Sequence, residues 1–292
     1  MRALDTYNPI TIALYYLSVA AISMLCMHPV LLFLSLLGAL TLCMMRRDVR
    51  KAGTHLFFWG LFALTAVLNP LLSHNGATVL LVIGNAPISA ESLFWGATSG
   101  MAIVSVLYWF ASFGAIMQSD KLLYLFGKLS PRLSLILSMA LRYVSLFAEQ
   151  AKKIKQTQRA LGLYKEDNLI DRLRGELRIF SILLSWALEN GIVTAGSMAA
   201  RGYGTARRTH FSIFHFSWRD GTLIALTLLL TAGTLIPYAL GAVEFTFYPT
   251  LHLHHSGILS VLCYLSFGAL VALPILIELE DTVKWKYLRS RI

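Results

Sequence analysis

Charge is what this chain has least of. Only 14% of its 292 residues are Asp, Glu, Lys or Arg, against 57% apolar, and residues 6–45, 52–90, 92–119, 221–243 and 245–277 contain none of the four. That scarcity, with a mean hydropathy of +0.64, excludes a soluble domain of this length. Cysteine is scarce too. Cys26, Cys43 and Cys263 each lie in or beside an apolar run with no CxxC pair, which excludes a disulfide framework and leaves them as small buried apolar residues. No GxxxxGK[ST] occurs, and the stretch around Lys128 (LFGKLS) lacks both the first glycine and the Ser or Thr after the lysine, so ATP hydrolysis is not expected of this chain. Nor does any apolar run enclose the acidic or basic residue that marks an ion or proton path, so a stand-alone pump or secondary transporter is disfavoured.

What is present is membrane-spanning sequence. About 20 apolar residues cross a hydrocarbon core of roughly 30 Å, and the five uncharged runs hold six spans, near 10–26, 30–45, 54–71, 92–118, 222–240 and 257–277. The first run is a hairpin of two helices, because Met27-His28-Pro29 interrupts it at its midpoint and proline does not continue a helical ladder. Arg2 before an apolar stretch has some look of a signal peptide, but the stretch runs unbroken past Ala20 and Ala21, and Asp5 is out of place in such a leader, so an uncleaved first span is expected. Six spans with both termini cytoplasmic place residues 27–29, 72–91 and 241–256 outside, and these contain none of the 25 Lys and Arg residues. The formal charge of +10 therefore reads as positive-inside bias against a lipid bilayer, with no nucleic acid required. In the outer segments, TVLLVIGNAPIS has a Gly-Asn turn between two β-prone stretches and predicts a small hairpin. His252, His254 and His255, with only Glu244 nearby, read as an interfacial loop rather than a metal site.

The expected organisation is all-α: N-terminal spans over 1–118, a cytoplasmic insertion over 119–221 carrying 16 of the 25 basic residues, and C-terminal spans with a cytoplasmic tail over 222–292. In the insertion, Ser130 and Pro131 open an amphipathic helix with apolar Leu133, Ile136, Leu137, Ala140, Val144 and Phe147, closing at Gly162. Asn168 or Asp167 caps a second, with apolar Leu173, Leu177, Phe180, Leu184 and Ala187, closing at Gly202. Gly191, Ala195 and Ala199 follow at four-residue intervals, a spacing that lets another helix cross closely. The two ends are built alike. Ala160-Leu161-Gly162 and Ala200-Arg201-Gly202 stand forty residues apart, each after a long helix and before a tyrosine-containing turn. A basic residue in the last turn of a glycine-closed helix is ordinary capping chemistry. Two such ends also suggest prongs that dock into a partner, with Arg201 offered to a carboxylate.

The stretch PRLSLILSMALRYVSLFAEQAKKIKQTQRALG from Pro131 to Gly162, the intact Ala200-Arg201-Gly202 in SMAARGYG, and Asn8-Pro9-Ile10 before the first span resemble the T component of energy-coupling factor (ECF) transporters. That family carries paired Ala-Arg-Gly motifs at the ends of two cytoplasmic coupling helices. The resemblance implies a scaffold in a prokaryotic cell membrane, between two cytoplasmic ABC ATPase subunits and a small membrane S subunit that captures a vitamin or metal ion. It implies no cofactor on this chain, with ATP held by the partner subunits, and no catalysis. One departure stands out. The first motif has Leu161 where the family has arginine, so that prong lacks its charge unless Arg159 supplies it.

Two alternatives remain at this level. A membrane-embedded lipid phosphotransfer enzyme could use Arg201, Arg207 and Arg208 on a phosphorylated headgroup, but it needs clustered aspartates for divalent metal and the sequence has none. The permease subunit of another ABC importer would carry a cytoplasmic Glu-Ala-Ala signature, and none is found.

Overall fold

Proline and asparagine set where the helices begin. In the computed structural model, which describes residues 3–46, 52–72, 76–83, 86–164, 168–203, 214–249, 252–255 and 257–289, a short 3-10 turn (Ala3–Thr6) leads to Asn8. The Asn8 side chain accepts from the Ile10 N–H, and Pro9 occupies the first helical position, where its missing N–H costs nothing. Then follow α1 (Pro9–Leu25), α2 (Pro29–Arg46) and α3 (Ala52–Leu72), the break at 26–28 falling where Pro29 requires it. Strands β1 (Val79–Ile83) and β2 (Ala86–Ser89) precede α4 (Ala90–Ile116). The remainder is α5 (Ser119–Leu129), α6 (Pro131–Ala160), α7 (Leu169–Ala200), α8 (Trp218–Ala239), β3 (Val243–Thr246), β4 (His252–His255) and α9 (Ile258–Arg289).

This is an all-α polytopic membrane protein with two minor hairpins. The first, β1 against β2, is the expected one; its Gly84-Asn85 turn lies outside the described residues. The second corrects the sequence reading. Residues 243–255 form an antiparallel pair with Val243 opposite His255, where only an interfacial loop is expected. No group of three or more His, Cys, Asp or Glu able to hold a metal occurs among the described residues. The second hairpin meets the segments flanking the first: Ala77, just before β1, donates its N–H to the Pro249 carbonyl at 3.2 Å, and Trp95 of α4 and Phe247 pack edge-on at 4.8 Å.

Six helices are long and apolar enough to cross a membrane, namely α2, α3, α4, α7, α8 and α9, and α1 is a shorter apolar helix of 17 residues. Two differences from expectation follow. First, α7 qualifies by composition although it belongs to the insertion, because Glu189 is its only charge from Ile179 to Ala200. Second, α9 continues well beyond residue 277, through a charged turn to Arg289. The separate helix α5 also has no counterpart in the sequence reading.

The chain divides into two compact units, Met1–Leu122 with Phe214–Ile292, and Leu123–Ile213. In the first, α4 packs against α1, α2 and α3, and α9 against α2 and α8. Lipid tails are as apolar as the side chains, so close fit rather than water exclusion holds these helices together. Glycines make the fit. A Cβ on Gly38 would fall 1.9 Å from Val271 Cγ1, one on Gly96 3.0 Å from the Ala66 carbonyl, and one on Gly100 2.7 Å from Thr65 Oγ1. Several polar groups buried here are paired across helices, as a hydrocarbon surrounding favours: Trp109 Nε1 donates to Ser35 Oγ at 3.0 Å, Ser35 bonds Ser23 at 2.8 Å, and Tyr15 donates to the Leu270 carbonyl at 3.1 Å.

The second unit is built on α6 and α7, which run antiparallel. Tyr143 meets Thr194 at 3.0 Å, Phe147 packs on Trp186 at 5.9 Å, and Lys155 reaches Glu176 at 2.6 Å. The expected N-caps are in place at Ser130 and Asn168, although neither side chain closes a cap hydrogen bond; Asp167 lies outside the described residues.

Candidate functional site

The two helix ends picked out by sequence are the same object twice. In α6 the amides of Leu161, Gly162 and Leu163 donate to the carbonyls of Thr157, Arg159 and Gln158; in α7 those of Arg201, Gly202 and Tyr203 donate to Ser197, Ala199 and Met198. Every partner is shifted by forty residues. Both glycines sit in the left-handed region, Gly162 at φ 68° and Gly202 at φ 72°, which closes the carbonyl end of a helix without the Cβ penalty other residues incur. Ala160 and Ala200 are therefore the last helical residues, and Leu161 and Arg201 the caps.

Their surroundings differ. At the first end the chain turns back and is stapled. Tyr164, 7% exposed, lies on Gly175, where a Cβ would come within 2.7 Å of its ring. Its hydroxyl donates to Glu176 at 2.7 Å, and Lys155 and Arg159 lie over its ring at 4.7 and 5.4 Å, the position of cation–π attraction. Hydrogen bonds from Lys155 and then Tyr164 hold the Glu176 carboxyl below the usual carboxylate range, and Glu176 in turn holds the Lys155 ammonium above its usual value. Arg159 is thus engaged with Tyr164, while Leu161 is 63% exposed. Arg201 is exposed, and its side chain makes no hydrogen bond or ion pair among the described residues. The sequence points to the two tyrosines but not to Gly175 and Glu176, whose pairing with Tyr164 only the antiparallel turn creates.

The close-crossing assignment of Gly191, Ala195 and Ala199 needs correction for the α6–α7 pair. All three are exposed, and nothing lies within 4 Å of a Cβ on Gly191. The seam runs along the neighbouring face of α7, through Glu176, Ile179, Trp186 and Thr194, because Tyr143, Phe147 and Trp186 are too large for a small-residue crossing. Much of the expected apolar stripes faces outward: Leu173, Leu177 and Phe180 of α7 and Ile136 and Val144 of α6 are each more than 60% exposed, while Phe147 of the α6 stripe packs into the seam on Trp186. Arg207 and Arg208 lie outside the described residues.

Sequence also misses a set of buried charges at helix ends. Arg46, 2% exposed, pairs with Asp5 at 3.1 Å and with Glu278 of α9. Asp220, also 2% exposed, caps α8. These partners lie up to 232 residues apart in the chain, and the pairing has no local pattern to announce it.

Comparison with known proteins agrees with this architecture. The family model described as CbiQ, cobalt transport protein, matches residues 2–213, almost three-quarters of the chain and both helix ends. The energy-coupling factor transporter transmembrane protein EcfT 1 of Listeria monocytogenes is 37% identical over 108 residues, 36% of this chain and 40% of the relative. The EcfT proteins of Bacillus selenitireducens and Lactobacillus helveticus are 30% and 32% identical over 111 and 106 residues. These matches span about two-fifths of the length of the curated relatives. With the family model covering most of the chain and these relatives beside it, the chain belongs to the CbiQ family of energy-coupling factor transmembrane (T) components.

Proposed function

We propose that this chain is the membrane scaffold of an ECF-type importer, joining two cytoplasmic ATPase subunits to a small membrane subunit that captures a vitamin or metal ion. It lies in a prokaryotic plasma membrane with both termini cytoplasmic. ATP is bound and hydrolysed by the partners, and this chain performs no catalysis. One observation carries the reading: two helix ends of identical backbone closure, one of them presenting Arg201 to solvent. Because α6 and α7 are antiparallel, these ends lie at opposite extremes of the pair. The span from Glu176 to Ala200 is roughly 35 Å at 1.5 Å per residue, a separation suited to two side-by-side partners. The outward apolar stripes suit a membrane subunit or lipid more than water.

Arg201 can make paired, charge-assisted hydrogen bonds to a carboxylate in an ATPase groove, and truncating one partner of such a desolvated pair costs about 2–5 kcal/mol. Leu161 offers apolar contact alone. Arg201→Ala therefore weakens copurification of the ATPase subunits by about thirtyfold or more in affinity, and Arg201→Glu weakens it further. Leu161→Ala is milder, and Leu161→Arg is tolerated. The same cells report uptake of cobalt(II) and of a panel of vitamins. Full assembly and full uptake with Arg201→Glu would reduce the motif to a helix cap and overturn the proposal.

A further inference from the structure

The chain leaves its first unit after Leu122 and returns to it at Phe214, and both roots are tied to one short stretch at the start of the sequence. On the way out, Lys121, 8% exposed in the first turn of α5, donates from Nζ to the Asp5 carbonyl at 3.0 Å. On the way back, the Asp220 carboxylate receives four donors. Asn8 N–H and the Thr11 hydroxyl reach Oδ1 at 2.8 and 3.5 Å, and Ser217 N–H and hydroxyl reach Oδ2 at 2.9 Å each. Between the roots, the Asp5 carboxylate pairs with Arg46, which also pairs with Glu278. Asn8-Pro9-Ile10, left without a task by the coupling ends, thus forms part of the return tie.

Such an arrangement is expensive. A buried carboxylate held by four uncharged donors, and a lysine spent on a carbonyl, retain much of their desolvation cost unless every bond is kept. A chain that needed only to start two helices has cheaper caps available. What these groups achieve together is to hold residues on either side of a ninety-residue excursion against residues 5–11.

We infer that Asp5, Asn8, Lys121 and Asp220 anchor both roots of the coupling-helix insertion to the membrane bundle, so that displacement imposed on α6 and α7 is delivered to the spans and not absorbed by slack at the roots. They are positioning residues, acting through the insertion, and the inference rests on the scaffold function proposed above. A loose root would behave as a hinge, and a hinge takes up motion that a fixed joint transmits.

The test uses the full complex with spin labels at Val144 of α6 and Leu265 of α9, 66% and 69% exposed, and reads the distribution of distances between them with and without ATP. In Lys121→Met and Asp220→Ala the distribution broadens by about twofold and its ATP-driven shift falls by about tenfold, the size of effect that mutations along a coupling network produce. Copurification and hydrolysis by the ATPases stay within about twofold of wild type, and Lys121→Arg, which keeps the donor, restores the wild-type distribution. An unchanged distribution in both variants overturns the anchor, since the backbone alone then holds the roots. Parallel loss of ATPase binding also overturns it, by making these residues part of docking or folding. If the unaltered protein fails to recruit ATPases, the scaffold reading falls, while the ATP-free distribution still decides whether the roots are anchored.

Discussion

Tyr164 shows how much a single side chain settles in the second unit. It is buried where most of its neighbours are not, filling the space that Gly175 leaves and donating to Glu176. Tyr164→Phe keeps the ring and loses that bond, at a cost of about 1 kcal/mol. Gly175→Val drives a branched side chain into the ring and costs about 1–3 kcal/mol by overpacking. Thermal unfolding and hydrogen exchange of residues 161–164 measure both. The staple also has a defined pH range. Glu176 titrates below its unfolded value, so its contribution is complete above the ordinary carboxylate range and is lost only as pH falls through the lowered value. Lys155 titrates above its unfolded value, so its contribution is complete below the ordinary lysine range and is lost only as pH rises through the raised one. Exchange protection at Leu161 to Tyr164, corrected for intrinsic rate, is therefore flat between about pH 5.5 and 8.5. A change across that window would show that another group controls this end.

Among the spans of the first unit, α3 is held by the fewest helices: it packs substantially against α4 alone, across Gly96 and Gly100. Gly96→Leu sets a side chain against the Ala66 carbonyl and Asn69, costs about 1–3 kcal/mol, and separates α3 from α4. Cysteine cross-linking between the Asn69 and Ser99 positions, whose side chains meet across the crossing at 3.1 Å, reads that separation, and retained cross-linking would place the tight crossing elsewhere. Ala195→Leu behaves oppositely. Its position is exposed, so the α6–α7 pair keeps its stability within about 0.5 kcal/mol, and any loss of uptake in that variant reports a partner on this face. The two glycine sets explain what was legible in the sequence. Helices and their closures at Pro9, Pro29, Gly162 and Gly202 follow from the local chemistry of neighbours and are readable in order. Which face of α7 meets α6 is decided by Tyr143, Phe147 and Trp186 across a turn, and small residues at the right spacing on the wrong face look the same in one dimension. Strand pairing at Val243–His255, the Arg46–Glu278–Asp5 network and the four donors on Asp220 are likewise long-range, and no periodicity records them.

For the whole molecule, sidedness is the property most open to measurement. Fusions to a reporter active only outside the cytoplasm are expected to give signal after Thr78 and Thr246 and none after Leu161 and Leu288. Signal after Leu161 would put 16 basic residues on the wrong side of the bilayer and remove the scaffold reading with it. The matched closures of α6 and α7 have one more consequence. Because both ends close with the same three backbone hydrogen bonds, shifted by forty residues, while the cap residue is leucine in one and arginine in the other, the pair carries a built-in polarity, like a two-pin plug with one pin insulated. Two identical sockets would leave one pin's chemistry unanswered. With the two ATPase subunits proposed above as two different sockets, the plug tells them apart by the side chain at position 161, and Leu161→Arg, which still assembles, is expected to lose that order.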